Sequence, residues 1–175
     1  MSSPNETDYA QIANGPSCEL PTSSSSGTVG QSHHTWVGPH SNEREEILRT
    51  AKSIAIVGAS ANPERPSYGV AKYLLQSSDY RVYFVNPNAD EILSHKAYPD
   101  LASLPEVPDI VDVFRKSSDI PAVIEDVIAI GDKTVWIQLG IWNQDAAIYA
   151  ESKGLTVVMD RCLKIDHARF RGETS

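Results

Sequence analysis

From Ser41 onward the chain alternates short apolar runs with stretches in which apolar residues recur every three or four positions. That rhythm predicts a parallel sheet joined by crossover helices. The run Ser53–Val57 (SIAIV) is apolar at nearly every position, as a strand buried on both faces requires. Similar runs follow at Arg81–Val85 (RVYFV), 110–114 (IVDVF), Thr134–Ile137 (TVWI) and 155–158 (LTVV), so five parallel strands are expected. Between them, Ile120, Val123, Ile124, Val127 and Ile128 form one helical stripe, with Ser118 placed to cap it and Gly131 to end it. Pro66–Ser77 carries Val70, Tyr73 and Leu74 on one side, and Gln144–Ser152 reads as a helix begun near Asn143 and stopped by Gly154. A leading helix over 42–51 includes Ile47 and Leu48; residues 95–98 suggest a small extra strand and 101–104 a helical turn. The expected architecture is α/β, a doubly wound sheet in three α/β/α layers.

Residues 1–40 break this rhythm. They are rich in Ser, Pro, Gly, Asn and Thr and show no apolar periodicity, so they cannot bury enough surface to offset their ordering entropy. A disordered tail over 1–40 and a folded domain over 41–175 are expected. The tail has no Lys or Arg and no continuous apolar core, which argues against a mitochondrial presequence and a signal peptide. No stretch approaches the roughly 18 apolar residues of a membrane span, and a cytoplasmic, soluble protein is expected.

Charge and cysteines narrow the chemistry further. The net charge is −8, and with three acids in the tail the remainder holds 20 acidic against 15 basic residues. No basic stripe is visible, so nucleic acid is not an expected partner and any anionic ligand needs a local site. Cys18 and Cys162 give no spacing for a disulfide framework or a zinc site, and the His33–His34 doublet reads as incidental.

Sheets of this type bind ligands beyond the carboxyl ends of their strands. After the first strand, VGASANPERPSYGVAKYL has Gly58 where the backbone must turn, with Ser60, Arg65 and Ser67 as side-chain donors and Pro63 and Pro66 to stiffen the loop. A phosphate-holding turn fits better than an ordinary connection. The carboxylate that would meet the ribose of NAD is missing after the second strand, which ends in Asn86 and Pro87. NADP is less disfavoured, since Arg65 could serve its extra phosphate. Phe114, Arg115 and Lys116 suit an adenine or pantetheine contact with a phosphate nearby, or equally a core Phe with solvated charges. Trp136 reads as core and Gln138 as a polar site edge. Cys162 beside Arg161 is either a reactive thiol or a small, partly buried residue.

The stretches VGASANPERPSYGVAKYL, YRVYFVNPN, VDVFR, VWIQLGI and VVMDRCLKIDH, in that order, resemble the stand-alone CoA-binding domain proteins of the bacterial YccU type. These are relatives of the CoA-binding domain in the succinyl-CoA synthetase alpha subunit. The resemblance runs from about residue 51 to residue 170 and implies a Rossmann-like fold that binds coenzyme A or an acyl-CoA. It places the pyrophosphate region at Gly58, Ala59, Ser60, Arg65 and Ser67, the nucleotide against Asn86 and Pro87, and a further ligand contact at Phe114 and Arg115. The synthetases also need a phosphorylated histidine in a second domain and a partner subunit, so ligase activity is not expected of this chain.

Two functions follow. One is a binding module for CoA or an acyl-CoA, without catalysis, working as a homodimer or with an unknown protein partner. The other is an enzyme, either an NADP-dependent oxidoreductase or a thiol-dependent CoA enzyme using Cys162.

Overall fold

The run SIAIV forms strand β1 (Ser53–Val57) at the middle of a seven-stranded sheet. The computed structural model describes residues 36–172, so the expected disorder of 1–35, with Cys18 and the His33–His34 doublet, lies outside the described residues. On one side of β1 stands β2 (Arg81–Val85), then β4 (His95–Tyr98) and β3 (Glu91–Ile92); on the other stand β5 (Ile110–Val113), β6 (Thr134–Ile137) and β7 (Thr156–Val158). Six strands are parallel, and β3 alone pairs antiparallel with its neighbour.

The sheet therefore has two more strands than the five main ones expected. The extra strand over residues 95–98 is β4, and β3 joins it through a tight turn at Leu93 and Ser94, both with positive φ. The expected helical turn is a 3-10 turn at Leu101–Ser103.

Helices cover both faces. On one, α3 (Ile120–Ile130) and α4 (Gln144–Ser152) pack Ile120, Ile124, Val127 and Ala147 against Ala55, Val111, Val135 and Val157 of the strands. On the other, α1 (Ser41–Thr50), α2 (Pro66–Ser77) and α5 (Leu163–Phe170) pack Leu48, Leu74 and Leu163 against Ile54, Ile56, Phe84 and Trp136. Side chains alternate across each strand, and two apolar layers result. Trp136 is core, fully buried with its indole N–H donating to the Arg161 carbonyl at 2.9 Å.

Two local expectations change. Ser118 does not cap α3; a 3-10 turn at Ser117–Asp119 leads into the helix, Asp119 holds the cap position, and the Ser118 hydroxyl bonds to the Asp119 carboxylate at 3.2 Å. Residues 36–40, assigned to the tail, lie on the domain: the Trp36 N–H donates to Gln144 Oε1 at 3.2 Å, and its ring meets Trp142 edge-on at 5.8 Å.

The chain leaves β1 toward β2 on one side and later returns to β5 on the other. The carboxyl ends of β1 and β5 thus flank the point where strand order reverses, the place where open sheets of this kind leave a crevice.

Candidate functional site

The turn after β1 is fixed by its own backbone. Gly58 has φ +83°, and a Cβ there would lie 2.7 Å from the Phe114 carbonyl oxygen, so only glycine fits this close approach. Beyond it, the Ser60 hydroxyl accepts from the Asn62 N–H at 3.1 Å and the Asn62 amide oxygen accepts from the Glu64 N–H at 3.0 Å. These side-chain turns brace the loop up to Arg65, which stands at the cap position of α2. Pro66 occupies the first helical position, where its fixed φ suits the helix and no N–H is lost.

This turn, the α2 N-terminus and the ends of β2, β5 and β6 enclose an open cleft of about 800 Å³. All nine residues expected at the site line it: Gly58, Ala59, Ser60, Arg65 and Ser67 from the first turn, Asn86 and Pro87 after β2, Phe114 and Arg115 after β5. In a chain of net charge −8, the charged side chains lining the cleft are Arg65, Arg115 and Lys164, all cationic. The partial positive charge of the α2 N-terminus adds to them.

Not every one of the nine has side-chain donors to spare. Asn86 is a brace: its amide nitrogen donates to the Ala59 carbonyl at 2.8 Å and its amide oxygen accepts from the Asn88 N–H at 2.8 Å, which ties the β2 end to the β1 turn. Arg115 pairs with Asp119 at 3.3 Å near the surface. Ser67 is buried at the second position of α2.

Of the opposite wall the sequence pointed to Gln138 and Cys162 and did not single out Lys164 or Ile165. Gln138, Leu139 and Ile141 after β6, and Cys162, Lys164 and Ile165 at the start of α5, also line the cleft. Gln138 is the polar edge expected of it: buried, with its amide nitrogen donating to Asp112 Oδ1 at 2.7 Å. The α5 residues lie in the MDRCLKIDH stretch, whose matching motif was the available signal.

Strand register sets Asp112 directly beneath the cleft. Ile56, Asp112 and Trp136 stand side by side across β1, β5 and β6, and the residues two positions further on are Gly58, Phe114 and Gln138. Asp112 is fully buried, its second carboxylate oxygen lacks a hydrogen-bond partner, and burial pushes its carboxyl up to about 8, against the opposing Gln138 hydrogen bond.

Residues 52–168 match the family described as the CoA binding domain. The chain belongs to this family. YneT, an uncharacterized protein of Bacillus subtilis, is 40% identical over 130 residues, which cover 74% of this chain and 96% of YneT. A hypothetical protein of Pyrococcus horikoshii of known structure is 39% identical with a TM-score of 0.72, over 77% of this chain and 94% of that one. The ADP-forming acetate–CoA ligase II of Archaeoglobus fulgidus is 32% identical over 83 residues, 47% of this chain and 12% of the ligase. The matching segment is thus nearly the whole of YneT and a small part of the much larger ligase. Among the described residues no helix is long and apolar enough to cross a membrane, and no group of three His, Cys, Asp or Glu side chains could hold a metal ion.

Proposed function

We propose that the chain binds coenzyme A or an acyl-CoA in this cleft and has no ligase chemistry of its own. The observation that carries the reading is the convergence of Gly58–Ser67, Asn86–Pro87 and Phe114–Arg115 on one cationic cleft at the α2 N-terminus, in a member of the CoA-binding domain family. The pyrophosphate sits at the Gly58 turn and the α2 N-terminus, with Arg65 as its charged partner and Arg115 within reach of a further phosphate. The other lining side chains are hydroxyls, amides, one thiol and apolar groups, which suits holding a ligand rather than moving protons.

Titration calorimetry and thermal shift with CoA, 3′-dephospho-CoA, NAD and NADP test this reading. A ligand held only by the folded state raises the melting point, by about 2.7 kcal/mol of stability at a hundredfold excess over Kd. CoA is expected to bind and stabilise; stabilisation by NADP with none by CoA would sink the proposal.

The place of Cys162 on the same wall favours one second reading, thiol chemistry on the bound ligand. Incubation of the Cys18→Ser variant, whose one thiol is Cys162, with CoA disulfide followed by intact-mass measurement separates the two. Attack by the Cys162 thiolate would release one CoA thiol and leave the other CoA linked to the protein; an unmodified mass leaves binding alone.

A further inference from the structure

Two large aliphatic side chains stand exposed on the cleft's rim, and both are held there. Leu139 is 62% exposed at the apex of the turn after β6. That turn is closed by the Ile141 N–H to the Gln138 carbonyl at 3.1 Å, takes Gly140 at φ +82°, and is clamped by the Gly140 N–H donating to Asp160 Oδ1 at 2.7 Å. Asp160 itself has φ +56°, a conformation uncommon for a residue with a Cβ. Ile165, 58% exposed, lies on the first turn of α5. Its helix is anchored by buried Leu163 and by the ion pair between Arg44 and Asp166 at 2.7 Å. Neither side chain can swing into the core, and each leaves apolar surface in water.

Cys162 and Ile141, both half-buried, continue this apolar end of the cleft. The cations Arg65 and Arg115 and the α2 N-terminus belong to the phosphate end. The remaining cation, Lys164, is engaged over the Tyr73 ring, 5.5 Å from its centre. A ligand spanning the cleft is therefore anionic at one end and apolar at the other.

Resting on the reading of the cleft as a CoA site, we infer that its apolar end is an acyl subsite, and that the ligand is an acyl-CoA carrying an aliphatic acyl group rather than CoA with a free thiol. The acyl chain lies across Leu139 and Ile165 and takes their exposed faces out of water, while the pantetheine arm bridges to the phosphates.

Calorimetry on the full chain with CoA, acetyl-CoA, butyryl-CoA, hexanoyl-CoA and succinyl-CoA tests this. Affinity should rise roughly two- to fourfold for each methylene added, the gain expected for burying part or all of a CH₂. In the double variant Leu139→Ser, Ile165→Ser the ratio of hexanoyl-CoA to CoA affinity should fall to near one. Equal affinities along the series, a preference for CoA or succinyl-CoA, or an unchanged ratio in the double variant overturns the inference while leaving CoA binding in place. If no member of the series binds, the CoA reading falls as well.

Discussion

A Cβ on Gly58 would lie 2.7 Å from the Phe114 carbonyl oxygen, so the turn after β1 and the end of β5 touch through their backbones. Two walls of the cleft are thereby one unit, and whatever moves one displaces the other. Gly58→Ala meets both a backbone atom that cannot rotate away and a φ of +83°. The variant should lose about 1–3 kcal/mol in urea denaturation and bind CoA more weakly. Full stability and affinity would show that the turn opens without consequence.

Gly69 poses the opposite case. It sits inside α2 and lines the cleft, and nothing lies within 4 Å of where its Cβ would be. A glycine inside a helix costs about 0.5–1 kcal/mol relative to alanine, and no protein atom needs the space. On the proposed CoA reading, the ligand approaches the helix there and uses that space. Gly69→Ala should raise the melting temperature of the free protein yet lower CoA affinity, measured on the same preparation by thermal scan and calorimetry.

Asp112 gives stability a pH dependence of definite sign. Its carboxyl holds a proton up to about pH 8 in the folded chain, against an ordinary value of 3.8. Between these values unfolding releases a proton, so stability falls as pH rises, and above about 8 the cost of the buried charge is complete. Burial likewise pushes Asp132 up to about 6. Between about pH 6 and 8 Asp112 dominates of the two. In Asp112→Asn, the slope of unfolding free energy over that interval should flatten by about one proton, or ~1.4 kcal/mol per pH unit. An unchanged slope would show that the carboxyl is ionised in the fold.

The nine expected residues that line the cleft were legible because they stand at strand ends or in the turn from β1 into α2, and strand ends are marked by where apolar runs stop. What escaped depends on partners far away in the chain. Helix α5 reads poorly as an amphipath because Asp166 and His167 are buried while Ile165 is exposed. The partners that make this tolerable, Arg44 and Tyr73, lie 122 and 94 residues away and leave no trace in local periodicity. Strand β3, the antiparallel partner of the expected strand at 95–98, escaped for a local reason: the turn between them uses Leu93 and Ser94 with positive φ, where Asn-Gly would have announced it. Trp36 was lost in a polar neighbourhood whose composition hid a residue that packs on Trp142.

The ion pair between Arg44 and Asp166 connects α1 to α5, and through α5 to the apolar end of the cleft. Both groups are buried, the Arg44 Nε donates to Asp166 Oδ2 at 2.7 Å, and its Nη1 donates to the Pro39 carbonyl at 2.8 Å. Removing one partner leaves the other charged and without compensation in a dry site, which typically costs 3–5 kcal/mol, far more than an exposed pair contributes. Arg44→Ala should therefore destabilise the chain by about 3 kcal/mol in urea. Asp166→Ala introduced into that background should restore part of the loss, because the stranded carboxylate is gone. Since Ile165 and Lys164 ride on the same helix, Arg44→Ala should also weaken acyl-CoA binding at temperatures well below unfolding, although Arg44 does not line the cleft. Calorimetry on the single and double variants checks both effects; equal losses for Arg44→Ala and for Arg49→Ala, which breaks the exposed pair of Arg49 with Glu46 at 2.6 Å, would remove the buried pair from this role.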